Sequence, residues 1–244
     1  MHALGIADRS PGANPDNPPV VWHNSLVLGR RAKNRSVVAL RREEPQRPHE
    51  GGLARVVVST YLVLALIGGA LAWYFSGNPL AHPRPWLNLS LFTRVSSSIA
   101  LGTALAFAVV LATRFTVTRF GWARALHHEL QPLARRFDRN EIWLVALLSS
   151  LGEELFFRSF LVPVVGVIGS TLIFGLLHQT RGKARWIWVA WASIVGAAFA
   201  VLYCFTGSVL GPIVAHALIN GTNLQFLRSY VVTEEPDYGD AKTT

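Results

Sequence analysis

An all-α, polytopic transmembrane helical bundle is the fold this sequence predicts, and three observations predict it. Hydrophobic residues make up 51% of the 244 and charged residues 15%, well below the roughly one-quarter charged of an ordinary globular chain. Charge is also segregated, since no Asp, Glu, Lys or Arg occurs from Val56 to Pro83, Val95 to Thr113, Ser159 to Thr180 or Trp186 to Leu227. Finally, the cations cluster between these runs. Apolar runs near 20 residues suit membrane helices rather than barrel strands, because a helix satisfies its own backbone in lipid.

Taken in order, residues 1–53 read as a disordered basic cytoplasmic arm. They carry NPDNPP together with Arg30, Arg31, Lys33, Arg35, Arg41 and Arg42, and are too polar and broken to bury a core. No hydrophobic segment there suggests a cleavable signal. Residues 54–230 read as the transmembrane domain, with about six spans: Val56 to Phe75, Val95 to Thr113, Ile142 to about Leu161, about Gly166 to Thr180, Trp186 to Phe205, and Ser208 to Leu227. A hairpin turn is expected over Pro163 to Gly169. Residues 231–244 read as an acidic flexible tail. With both ends cytoplasmic, 20 Lys and Arg lie inside and only Arg84 and Arg94 outside, Arg158 being within a span, which satisfies the positive-inside rule. The expected location is therefore a bacterial cytoplasmic (inner) membrane, crossed several times, with both termini inside. The segment FGWARALHHELQPLARRF, residues 120–137, is either an interfacial amphipathic helix or a solvated basic loop in which His127 and His128 face water.

The net charge of +9 would suggest nucleic acid in a soluble protein. Here the cations flank apolar spans and no recognition module accompanies them, so no nucleic-acid partner is expected. One cysteine, Cys204, excludes an intramolecular disulfide and a cysteine-built metal site. The eight Trp fall mostly near span ends, as in an aromatic belt.

Ionisable groups inside a membrane cost about 2.5 to 3.5 kcal/mol each on insertion scales, so those retained are functional candidates. They are few: Glu153, Glu154 and Arg158 in the third span, His178 in the fourth, and His216 with Asn220 and Asn223 in the sixth. Glu154 and Arg158 are four apart and form a natural pair, whereas Glu153 is rotated about 100° away and is left for other work. His216 and Asn220 share one face of their helix, as do Phe174 and His178. A hairpin between the third and fourth spans would bring Glu153 and His178 level, with His216 in the same layer. A carboxylate beside an imidazole can activate water, and a facing His and Asn can stabilise an oxyanion. Alternatively, Glu153, His178 and His216 could ligate zinc, with a fourth position for water. Spacing leaves both open. A rival from another class is a transporter or scaffold that uses the same residues for proton transfer or helix packing. Patterns of other intramembrane hydrolases are absent: there is no HExxH, no GxSG at a plausible serine, and no Asp in any span.

Three motifs resemble the CPBP family of intramembrane proteases, which includes the type II CAAX prenyl endopeptidase and bacterial Abi proteins. EELFFR, residues 153–158, is similar to EExxxR; FGLLH, 174–178, to FxxxH; and HALIN, 216–220, to HxxxN. Tyr203 and Thr206, Gly207, Ser208 also sit where such proteins carry Y and TGS. The resemblance covers roughly residues 95–227. It implies a glutamate-dependent endopeptidase with no cofactor, acting on a membrane-anchored protein or peptide. In that reading Glu153 and His178 activate water, His216 and Asn220 form the oxyanion site, and Glu154 and Arg158 support them. The family's older metalloprotease label keeps zinc as the alternative. CAAX-type processing requires a cytoplasm-facing site, and C-terminal sorting-signal cleavage an outward-facing one. Charge counting sets the catalytic layer nearer the Pro163 to Gly169 turn, outside, while Arg181, three residues after His178, pulls toward the cytoplasm.

Overall fold

The computed structural model describes residues 37–43 and 51–235. Its helices are α1 (Gly51–Ser76), α2 (Leu91–Arg119), α3 (Gly121–Ala134), α4 (Arg139–Glu154), α5 (Val162–Leu177), α6 (Arg185–Thr206) and α7 (Leu210–Ser229). A π-helical segment, Leu155–Leu161, joins α4 to α5. Two strands, β1 (Val37–Arg42) and β2 (Tyr230–Glu235), pair antiparallel with Arg42 opposite Tyr230. The fold is an all-α membrane bundle with this short ribbon at one end.

Four helical runs are long and apolar enough to cross a membrane: Gly52–Ser76, Leu91–Arg119, Arg139–Leu177 and Arg185–Thr206. The protein is an integral membrane protein. The expected third and fourth spans are one run that doubles back, and α7, where the sixth was expected, is not among the four. The reversal occurs at Gly166, whose φ of 77° and ψ of 174° lie where only glycine is comfortable. That the chain folds back there follows from Ser170 Oγ donating to Phe157 O at 2.8 Å. Those residues would lie about 20 Å apart along one straight helix. The turn is thus a single residue within the expected Pro163 to Gly169 stretch.

Small and hydroxylated residues set the packing, as they must where lipid removes most of the hydrophobic drive between helices. Gly102 on α2 meets Gly211 on α7 so closely that a Cβ on either would strike the other helix's backbone or Ser98. Ser98 then ties three partners: its Oγ donates to Ser208 O at 2.9 Å, accepts from Gly211 N at 3.0 Å, and accepts from Thr206 Oγ1 at 3.1 Å. Gly207, with φ 78°, ends α6 and starts the turn into α7.

Helix alternation sorts the ends. One end carries the ribbon, α3, the α5–α6 loop and Arg114, Arg119, Arg135, Arg136, Arg139, Arg181, Lys183, Arg185 and Arg228. The other has the 77–90 loop, which crosses the α6–α7 turn through His82 N to Gly207 O at 3.0 Å and Trp86 N to Cys204 O at 2.8 Å. At the basic end, α2 stops at Phe120, whose extended φ of −122° and ψ of 131° redirect the chain into α3. Residues 120–137 are therefore largely helical, with Ala123, Leu126, His127, Gln131 and Ala134 buried. Asp138 opens α4 with a capping box to Glu141.

Two expectations change here. The arm was expected to be without structure to residue 53 and the tail from 231, yet Val37–Arg42 and Tyr230–Glu235 pair. Val38, Leu40 and Val232 pack with Val117, Ala123 and Phe226, and that apolar contact orders a ribbon too short to stand alone. His127 was expected in water but is buried, with its Nε2 3.0 Å from Tyr230 O. The rest of the expected arm and tail lies outside the described residues.

Candidate active site

Glu153 and Glu154 end α4, where the π-helical segment begins. π-helical turns in longer helices are frequent at functional sites. Glu154 is fully buried and joins two partners, with Oε2 3.1 Å from Arg158 Nε and Oε1 2.7 Å from His216 Nδ1. The Arg158 contact lies off the ideal hydrogen-bond direction and acts as an ion pair. Arg158 Nη2 also donates to Gly196 O at 3.0 Å, and its guanidinium carbon sits 4.3 Å from the Phe174 ring centroid. The expected Glu154 and Arg158 pair forms, but spacing within one helix gave no hint that His216 completes it.

Glu153 faces the other way. Its Oε2 is buried without a hydrogen-bond partner, 3.7 Å from His178 Nε2 and 3.9 Å from His216 Nε2. His178 caps α5 and is held by Nδ1, which lies 2.8 Å from Phe174 O. Because a carbonyl only accepts, Nδ1 carries the hydrogen and Nε2 is the edge presented to Glu153. His216 is oriented in the same manner by Glu154 and rests 5.1 Å from the Phe199 ring. Three helices thus bring Glu153, His178 and His216 together. Asn220, one turn beyond His216, lines the same cavity.

That cavity holds about 560 Å³ and runs from Glu153, His178 and His216 to the apolar face of α3, where Trp122, Leu126 and Leu130 line it. The reacting layer lies at mid-depth: His216 is nine residues past Gly207, and α5 ends at His178, only 12 residues after Gly166. The cavity extends from this layer to the basic end. Two lining residues had not been singled out in sequence. Tyr61 on α1 interacts with the Glu153 carboxylate, and Arg114 on α2 bonds Asn223 on α7 at 3.0 Å. A tyrosine in an apolar helix reads as packing, and Arg114 reads as one more flanking cation. Asn223, expected among the candidates, therefore anchors Arg114 rather than joining the Glu153 layer.

Around the rim, α3 is fixed by its polar residues. The Glu129 carboxylate accepts from Gly182 N at 3.1 Å and Ala184 N at 3.0 Å, tying α3 to the loop after His178. Its pKa lies below the ordinary value because Thr180 and these amides hydrogen-bond the charged form. Gln131 Nε2 donates to Tyr230 O at 2.7 Å. Burial pushes the His127 pKa down, reinforced by His128, Arg114 and Arg135 and opposed by Tyr230 O. Burial likewise lowers that of His82, whose Nε2 lies 3.8 Å from Cys204 Sγ at the far end.

The zinc alternative would draw on Glu153, His178 and His216. Among the described residues no group of three or more His, Cys, Asp or Glu side chains is placed to hold a metal ion. The Nε2 separations from Glu153 Oε2, 3.7 and 3.9 Å, are those of groups facing a shared space.

Residues 139–222 match the family model described as Type II CAAX prenyl endopeptidase Rce1-like. Over those 84 of its 244 residues the chain is similar to that family, in keeping with the resemblance to CPBP intramembrane proteases that its three motifs carry. The segment holds α4, the π-helical turn, α5, α6 and α7 as far as Thr222, and so all of Glu153, Glu154, Arg158, His178, His216 and Asn220. The family so described is one of CAAX-type endopeptidases. No curated protein and no solved structure matches the chain. The α1 and α3 walls of the cavity, which bring Tyr61 and Glu129, lie outside the CPBP match.

Proposed function

We propose that this protein hydrolyses a peptide bond near the C-terminus of a membrane-anchored or lipidated protein by glutamate-activated water. The observation that carries the reading is the unpartnered, buried Glu153 Oε2 between two imidazole edges. A group so placed in a cavity is poised to accept a proton from water, at a cost in stability that a merely structural residue would not carry. His178, its Nδ1–H fixed on Phe174 O, offers Nε2 to the same water. The nucleophile attacks the scissile carbonyl, and its proton passes by Glu153 to the leaving amine. His216 and Asn220, on one face of α7, receive the oxyanion. With Nδ1–H committed to Glu154, His216 donates from Nε2 only when doubly protonated, and a carboxylate on the far nitrogen is the partner such a ring requires. Arg158 holds Glu154 in that position.

The cavity's extension to the basic end favours access from the side where positive-inside counting puts the cytoplasm. This suits CAAX-type processing in an inner membrane with both termini inside. Glu153→Gln is expected to abolish cleavage of a co-expressed substrate, a loss of about 10² to 10⁴-fold or more, while the thermal unfolding midpoint changes little. Retained cleavage would remove the base. Activity is expected to survive exhaustive chelation in a zinc-free preparation; loss restored by zinc alone would support the metal reading.

A further inference from the structure

Three consecutive hydroxyls on α1 are satisfied in different ways. Ser59 Oγ donates to Arg55 O at 2.7 Å and Thr60 Oγ1 to Val56 O at 2.9 Å, so both close on the backbone of their own helix. Tyr61 instead turns its phenol off the helix, to the Glu153 carboxylate on α4, as a hydrogen-bond partner. The phenol donates and the carboxylate accepts, a charge-assisted bond of the stronger kind. The approach is built into the backbones. Gly152, next to Glu153, faces α1 so closely that a Cβ there would lie 2.7 Å from Tyr61 O, and about two turns further along α1 a Cβ on Gly68 would lie 2.7 Å from Phe156 N. Gly152 and Phe156 flank Glu153, so α1 is pinned to this run at both sides of the base.

The Glu153 carboxylate has little else to hold it. Tyr61, Glu153 and His178 line the main cavity and also a second one, of about 510 Å³, bounded by α1, the π-helical segment and the end of α5. Glu153 therefore has open space on two sides. Nε2 of His178 and of His216 stand 3.7 and 3.9 Å from Oε2, beyond hydrogen-bond range. The terminal torsion of a glutamate is broad, so an untethered carboxylate would swing. A general base has to meet its water at about 2.6 to 3.2 Å, which makes that torsion decisive for the rate. We propose that Tyr61 is a positioning residue for the base: its hydroxyl tethers the Glu153 carboxylate and keeps Oε2 aimed between His178 and His216. The inference rests on the endopeptidase reading and adds to the hydrolytic machinery a helix, α1, that lies outside the matched segment.

The test compares Tyr61→Phe with the unmodified full-length protein in nanodiscs, on a quenched fluorescent peptide bearing an S-farnesyl cysteine followed by three aliphatic residues. Loss of the hydroxyl is expected to lower kcat by about tenfold to a hundredfold, the scale of a misplaced catalytic group, with KM changed by less than about twofold. The thermal unfolding midpoint should stay where it was. Placing p-aminophenylalanine at position 61 restores an N–H donor on the same ring and should recover most of the rate. An unchanged kcat, a loss carried by KM, a lowered midpoint, or no recovery with the amino analogue overturns the proposal. Infrared difference spectra supply a readout that needs no turnover: the carboxyl band assigned to Glu153 by its loss in Glu153→Gln should move in Tyr61→Phe. If the unmodified protein leaves the peptide uncleaved while that band moves, the endopeptidase reading fails and the tether stands. If the peptide is cleaved and neither kcat nor the band responds, the tether fails and the endopeptidase reading stands.

Discussion

Helices α1 and α7 stand on either side of the π-bearing run, and the sequence advertises them in opposite ways. α1 carries no charge beyond Arg55 and exposes Leu62, Val63, Leu66, Ile67, Trp73 and Phe75. α7 has His216, Asn220, Thr222, Asn223 and Gln225, is not among the four runs apolar enough to span, and buries Gly211, Ile213, Ala215, His216 and Ile219. The difference separates two tasks. A helix that meets lipid is recognised by hydropathy, whereas a helix that bears chemistry is shielded from lipid by its neighbours and can look too polar to cross.

The comparison can be broken or sharpened by substitution, beginning with the largest expected effect. Glu154→Gln removes the partner of both Arg158 and His216 in the α7 contact, and stranding a buried guanidinium is expected to cost about 3 to 5 kcal/mol. Thermal unfolding in detergent should show the loss, accompanied by falling activity; an unchanged midpoint would mean that Arg158 finds another counter-charge. Gly102→Leu, which drives a side chain into the α7 backbone, should destabilise by about 1 to 3 kcal/mol, read in the same melt. A smaller effect is expected from pH at the ribbon. Burial depresses the His127 pKa, so its contribution is present above the ordinary imidazole value and is lost as pH falls through the depressed one. Protection from hydrogen exchange at Tyr230 to Val232, taken relative to the intrinsic rate at each pH, should therefore fall below about pH 6.5, and His127→Gln should flatten that dependence. At the bottom of the scale, Leu66→Ala on the exposed face of α1 should change stability by less than about 0.5 kcal/mol; a larger loss would show that α1 packs against a partner there.

Much of the candidate site was legible because the membrane makes polar residues conspicuous. Glu153, Glu154, Arg158, His178, His216 and Asn220 stand out against charge-free runs, and spacing along a helix pairs Glu154 with Arg158 and Phe174 with His178. Contacts between helices were not legible, since periodicity describes one helix at a time. The bond from Glu154 to His216 and the approach of Tyr61 to Glu153 belong to that class. Residues 120–137 were ambiguous because three Arg obscured the apolar stripe that α3 buries. The ribbon was missed for a related reason. VVALRR is a short strand whose partner begins nearly 190 residues later, and only the shared apolar patch beneath them makes the pairing worthwhile.

That ribbon gives the molecule an unusual mechanical wiring. Arg42 lies opposite Tyr230, and β2 continues directly from α7. A tug on the arm ahead of β1 is therefore transmitted sideways into the rod that carries His216, bypassing α1 altogether.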